Sequence, residues 1–191
     1  MIIIGVGAGP KMLTEEAIDA LQRAEIIYGS IRAIELVRNH IRPSAIVKAI
    51  DDYKKLDELP EDAVVLSTGD PMLSGLGFLP GKVIPGISSL QIACARLKIS
   101  QIKVVSMTFH GRNMNPEAVA FELRSGRCIF LLTDRDTDLA GLCAYLESQG
   151  LSSEVAVFKD MGYPEERILR GCTAAPPNVS ELSCVLIGKF S

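Results

Sequence analysis

Ile2-Ile3-Ile4-Gly5-Val6-Gly7-Ala8-Gly9-Pro10 is a β-branched run that dissolves into glycine and stops at proline. Consecutive isoleucines are stiff at χ1 and suit a pleated, buried strand better than a helix. The glycines that follow free the backbone to turn. A helical pattern comes next. Thr14 stands at a capping position, Leu13 and Ile18 occupy the staple positions around it, and Ala17, Ile18, Leu21 and Ala24 share one face. Strand, glycine turn and helix in that order open a parallel α/β sheet.

The alternation continues outward from there. Ile26-Ile27-Tyr28 reads as a second strand closed by Gly29-Ser30, and a helical pattern runs from Ile31 to His40. Ala45-Ile46-Val47, Ala63-Val64-Val65-Leu66 and Lys82-Val83-Ile84 read as strands three to five. Ser88-Ser89-Leu90-Gln91 has capping-box spacing and opens a helix to Leu97. A second half begins near Lys103-Val104-Val105-Ser106-Met107. Asn115-Pro116 caps and starts a helix that ends at Ser125-Gly126. Cys128-Ile129-Phe130-Leu131-Leu132 is a buried strand, and a helix over Leu139 to Gln149 stops at Gly150. Glu154 to Phe158, Arg167 to Gly171 and Ser183 to Phe190 are strand-like, with no long helix between them. The expected architecture is α/β, with two α/β domains, 1–100 and 103–191. The N-terminal sheet is expected to be mostly parallel and the C-terminal sheet mixed, with one cleft between the halves.

Composition narrows the function. The chain has 191 residues, only 5% of them aromatic and none of them Trp, so the core is aliphatic, as in parallel sheets covered by helices. Twenty basic against 23 acidic residues leave a net charge of −3, which excludes binding of nucleic acid or anionic membrane by bulk charge. Cys94, Cys128, Cys143, Cys172 and Cys184 form no C-x-x-C and read as reduced, mostly buried thiols. No apolar run reaches the ~18 residues needed to span a bilayer. Met1-Ile2-Ile3-Ile4-Gly5 lacks a basic leader and enters a strand at once, so the expected location is the cytoplasm.

Four turns can carry chemistry. A dinucleotide fingerprint over Gly5-Val6-Gly7-Ala8-Gly9 fails, because position 10 is Pro and no acid follows the second strand, where Tyr28 leads into Gly29-Ser30. No phosphate-binding P-loop occurs either. What remains is a strand end with little side chain, open to close approach by a ligand. Ser67-Thr68-Gly69-Asp70-Pro71-Met72-Leu73-Ser74-Gly75 follows a strand and falls at the carboxyl edge of the sheet, where open α/β folds bind ligands. There Asp70 either accepts hydrogen bonds from a ligand or closes an Asx turn on its own backbone. Pro85-Gly86-Ile87-Ser88-Ser89 leads into a helix start, with Ser88 as a cap or a ligand contact. Thr108-Phe109-His110-Gly111-Arg112 holds one of only two histidines and reads as an anion contact or a surface loop. Scattered His and Cys give no zinc-type ligand set, so no protein-bound metal is expected.

Gly5-Val6-Gly7-Ala8-Gly9-Pro10 with Leu13-Thr14, Gly69-Asp70-Pro71 with Ser74-Gly75, and Ile84-Pro85-Gly86-Ile87-Ser88-Ser89 together resemble the tetrapyrrole methylase family in order and spacing, over nearly the whole chain. Tyr28-Gly29-Ser30 and His110-Gly111-Arg112 look like the branch that methylates C5 of precorrin-type rings in cobalamin biosynthesis. The resemblance implies a homodimer and S-adenosyl-L-methionine as methyl donor in the inter-domain cleft. It implies that Ala8, Gly9, Asp70, Pro71, Met72, Leu73, Ser88, Ser89, Leu132 and Thr133 line the donor site. His110, Arg112 and Arg32, with Ser30, are expected to face the carboxylates of a cobalt-precorrin substrate. No single acid or base is assigned, because a sulfonium methyl needs chiefly alignment. Two departures stand out. Lys11 follows Pro10 where the family usually has Gly-Asp, and the stretch from Gly75 to Val83 is too short for the usual helix. The residues hold no second methyltransferase domain for C15 methylation and decarboxylation, so that step is expected of a separate protein. Open alternatives are a sister methylase (another ring position, diphthine, or ribosomal RNA 2′-O) and a non-catalytic sensor that binds S-adenosylmethionine or a nucleotide.

Overall fold

A computed structural model describes residues 1–73, 75–109, 115–134, 136–180 and 183–190. The chain divides into two compact units, Met1–Ser89 and Leu90–Ser191.

The first unit carries strands β1 (Ile2–Gly5), β2 (Ile26–Gly29), β3 (Ile46–Ala49), β4 (Val64–Ser67) and β5 (Lys82–Ile84), with helices α1 (Glu15–Arg23) and α2 (Ile31–Val37). All five strands run parallel in the order β3-β2-β4-β1-β5. Pleating sends alternate residues to opposite faces. Ile4, Val64 and Leu66 join Ala17 and Leu21 of α1 and Ala33 and Val37 of α2 in one core cluster. Ile3 and Val65 turn the other way and pack with Leu56 and Leu79. α1 starts at the cap expected of Thr14, and α2 starts at Ser30, for which no capping role was expected. The Thr14 hydroxyl oxygen accepts from Ala17 N at 3.2 Å, and that of Ser30 accepts from Ala33 N at 3.1 Å.

Two local readings shift. The α-helix predicted from Ile31 to His40 ends at Val37, and Arg38–His40 tighten into a 3-10 turn. The third strand starts at Ile46 and extends to Ala49; it is an edge strand with all four residues exposed, so burial leaves no alternation to read there. Between β4 and β5 the described residues contain no helix, in keeping with the short stretch noted there. Leu79, from this stretch, is buried with Ile3, Leu56 and Val65.

The second unit holds most of α3 (Ser89–Leu97), then β6 (Val104–Thr108), α4 (Pro116–Arg124), β7 (Cys128–Leu132), α5 (Leu139–Ser148), β8 (Glu154–Lys159), β9 (Arg167–Cys172) and β10 (Ser183–Gly188). Its sheet runs β6-β7-β10-β8-β9; β6 and β7 are parallel and the other neighbours antiparallel, so it is mixed. The Asn115 side chain caps α4 by accepting from Ala118 N at 3.2 Å. Gly150 takes the left-handed conformation (φ 70°) just beyond α5. Val119 and Ala120 of α4 and Leu139, Leu142 and Leu146 of α5 pack on Ile129, Val155, Val157, Val185 and Ile187. Arg96 of α3 reaches the segment after β8 and pairs with Glu166, Nε to Oε1 at 2.6 Å and Nη2 to Oε2 at 3.3 Å.

All five cysteines are free; Cys94, Cys128, Cys143 and Cys184 are buried and Cys172 half-buried. Burial, followed by the charges of Glu147 and Cys172, pushes the Cys143 thiol up to about 12. Among the described residues no helix is long and apolar enough to cross a membrane.

Candidate functional site

Parallel strands bring all their carboxyl ends to one edge, and in the first unit that edge gathers the turns after β1, β4 and β5. They are tied together backbone to backbone. Gly7 and Gly69 exchange both bonds, Gly7 N to Gly69 O at 3.1 Å and Gly69 N to Gly7 O at 2.9 Å. Val6 N donates to Ser67 O at 2.9 Å, and Ala8 N donates to Ile87 O at 3.0 Å.

Asp70 completes the weave. Its Oδ1 accepts from Met72 N at 2.8 Å, closing the Asx turn, and its Oδ2 accepts from Gly86 N at 3.0 Å. Of the two roles open to Asp70, the turn-forming one is realised, and the carboxylate also locks the β4 turn to the β5 turn. That approach requires glycine at 86, since a Cβ there would collide with the Gly69 carbonyl oxygen. Gly69 is different. It is buried and has φ +72°, yet a Cβ on it would meet no atom within 4 Å, so a small space lies beside its backbone.

The residues assigned to the donor site fall in two places. Ala8, Gly9, Asp70, Pro71, Met72, Leu73, Ser88 and Ser89 lie on the three turns at the sheet edge of the first unit, with Ala8, Gly9, Pro71 and Ser88 buried and Met72 exposed. Leu132 and Thr133 lie at the carboxyl end of β7 in the second unit, where Thr133 Oγ1 donates to Ser183 O at 2.8 Å. Ser30 caps α2, and Arg32 Nη2 donates to Ala8 O at 3.0 Å. His110 and Arg112 lie outside the described residues.

Sequence reasoning missed Ser67 and the acceptor role of Ile87. Ser67 is buried at the end of β4, and its hydroxyl accepts from Leu76 N at 3.2 Å, folding the long β4 turn back on the strand. A hydroxyl closing an otherwise apolar strand was the available signal. The Ile87 carbonyl left none.

The three turns, with a carboxylate spent on shaping them, stand at the carboxyl edge of a parallel sheet, the place where open α/β folds bind small molecules. The chain belongs to the tetrapyrrole (corrin/porphyrin) methylases, whose family model matches residues 1–176. Among curated relatives it is 29% identical to the decarboxylating precorrin-6Y C(5,15)-methyltransferase of Mycobacterium tuberculosis, over 98% of this chain and 51% of that protein. It is 30% identical to a probable cobalt-precorrin-7 C(5)-methyltransferase of Methanocaldococcus jannaschii, over 87% of this chain and 86% of that one. The chain thus spans about half the length of the first curated relatives it matches. The crystal structure of the cobalamin-biosynthesis precorrin-6Y methylase of Archaeoglobus fulgidus aligns with a TM-score of 0.77 at 27% identity, covering 99% of this chain and 97% of that one.

Proposed function

We propose that the protein transfers a methyl group from S-adenosyl-L-methionine to C5 of cobalt-precorrin-7 in cobalamin biosynthesis. The observation that carries this reading is the backbone cradle formed by Gly7–Gly9, Gly69–Leu73 and Gly86–Ser89, in a chain of the tetrapyrrole methylase family. Support for the C5 position comes from the Methanocaldococcus relative, whose name specifies C5 alone and which matches along most of its length.

The donor supplies an activated sulfonium methyl. The protein's part is to hold sulfur, methyl and ring carbon in line, an alignment able to lower a barrier by roughly 7–11 kcal/mol. The space beside Gly69 admits the donor close to the sheet, and Met72 and Leu73 offer apolar surface beside it; Leu132 and Thr133 are assigned to the donor from the family resemblance alone. His110 and Arg112 orient the carboxylates of the ring, and no side chain acts as an indispensable acid or base. The reading extends to domains 1–100 and 103–191, to a cytoplasmic homodimer, and to a different methyltransferase unit for C15 methylation and decarboxylation.

Calorimetry with S-adenosylhomocysteine tests the donor site. Saturable binding of one molecule per chain is expected. Absence of binding contradicts the reading.

A further inference from the structure

We propose that Arg32 is a positioning residue for the methyl-donor turn: its guanidinium pins the Ala8 carbonyl and thereby aims the Gly9 N–H at the donor. The inference rests on the donor-site reading above and assigns Arg32 work on the protein's own backbone instead of on substrate carboxylates.

The turn after β1 is held from several sides. Gly7 N–H and C=O are both paired with Gly69, and Ala8 N–H is paired with Ile87 O. Those bonds place the turn against the β4 and β5 turns through Gly7 and the Ala8 N–H. The Ala8 carbonyl is held from the other side, by Arg32 Nη2 at 3.0 Å. Ala8 is 6% exposed, so its carbonyl would lose a partner in a place with little water to replace it. A peptide is planar, and the Ala8–Gly9 bond is trans, so the Ala8 oxygen and the Gly9 hydrogen point to opposite sides of one rigid plate. Fixing the oxygen fixes the direction of the N–H.

Arg32 is well placed for this. It is the second residue of α2, whose start is set by the Ser30 hydroxyl and whose Ala33 and Val37 are fully buried against the sheet. The half-buried guanidinium therefore reaches across from a fixed base, and its planar fork keeps its direction better than a lysine ammonium on a flexible stem. The ligand atom met by Gly9 N–H is a hydrogen-bond acceptor on the donor molecule, shared by S-adenosylmethionine and S-adenosylhomocysteine.

Arg32→Ala and Arg32→Lys test the idea through three readings: the amide signal and hydrogen exchange of Gly9 in the ligand-free protein, the dissociation constant for S-adenosylhomocysteine, and the KM for the corrinoid substrate. In Arg32→Ala the Gly9 signal is expected to move and exchange faster, and S-adenosylhomocysteine to bind about tenfold or more weaker, the effect of losing a charge-assisted hydrogen bond. Substrate KM stays within about twofold, and Arg32→Lys falls between wild type and Arg32→Ala. An unmoved Gly9 signal with unchanged donor affinity overturns the proposal, as does a rise in substrate KM alone. If the wild type binds no S-adenosylhomocysteine, the donor-site reading fails and the Gly9 signal alone decides: movement in Arg32→Ala sustains the pinning of the turn, and no movement overturns it.

Discussion

Both oxygens of Asp70 are engaged by backbone, one within its own turn and one across to Gly86. A carboxylate is suited to this because each oxygen accepts without having to donate, whereas an amide presents an NH2 to one of the two N–H groups. Asp70→Asn keeps the size and loses one acceptor. It is expected to lower the unfolding free energy by about 1–2 kcal/mol, read from urea denaturation, with weaker binding of S-adenosylhomocysteine. Stability and affinity equal to wild type would show that Asp70 does not join the turns. Gly69-Asp70-Pro71 was legible as a ligand-side loop from its place after an apolar strand. The Gly86 partner was not, since the bond joins residues that local patterns do not connect.

At the scale of elements, helix starts were the most legible features because capping is short-range chemistry. Thr14 and Asn115 cap the helices that begin beside them, as their positions suggest; Ser30 caps α2 as well, a role its place after a strand did not reveal. Strand limits were less so: β3 is exposed at every residue, and the end of the α2 pattern turns 3-10, changes that hydrophobic spacing does not encode. The mixed second sheet was readable from three strands without intervening helices. The tie from α3 to the β8–β9 segment was invisible in sequence, and it carries a pH signature. The hydrogen bond from Arg96, reinforced by Gly162 N, holds the Glu166 carboxyl below its ordinary 4.5 against the opposing effect of burial. A carboxyl lowered in the folded state contributes stability that is present in full above the unfolded value, and that is lost as pH falls through the folded one. Glu166→Gln is therefore expected to cost about 0.5–1 kcal/mol at pH 7, with the gap from wild type closing as pH drops below 4.5. Denaturant titrations across that range check it; a gap independent of pH contradicts the pairing.

For the whole molecule, the aliphatic composition and alternating pattern made both sheets legible, while the site was legible only in its turns. The three turns at the sheet edge carry residues that glycine and proline punctuation marks plainly. The bonds that weave them, from Ala8 to Ile87 and from Arg32 to Ala8, depend on how distant segments meet. The net charge of −3 sets a condition on the proposed substrate. A ring bearing many carboxylates is not drawn in by the overall field, so recognition falls to a few local cations and to shape. The most direct measurement is transfer itself. The protein is incubated with cobalt-precorrin-7 and S-adenosylmethionine carrying a carbon-13 methyl, and the product is analysed by mass spectrometry and NMR. The expected result is a single labelled methyl at C5, with one S-adenosylhomocysteine formed per methyl transferred; an unmethylated ring, or a label at any other position, would contradict it.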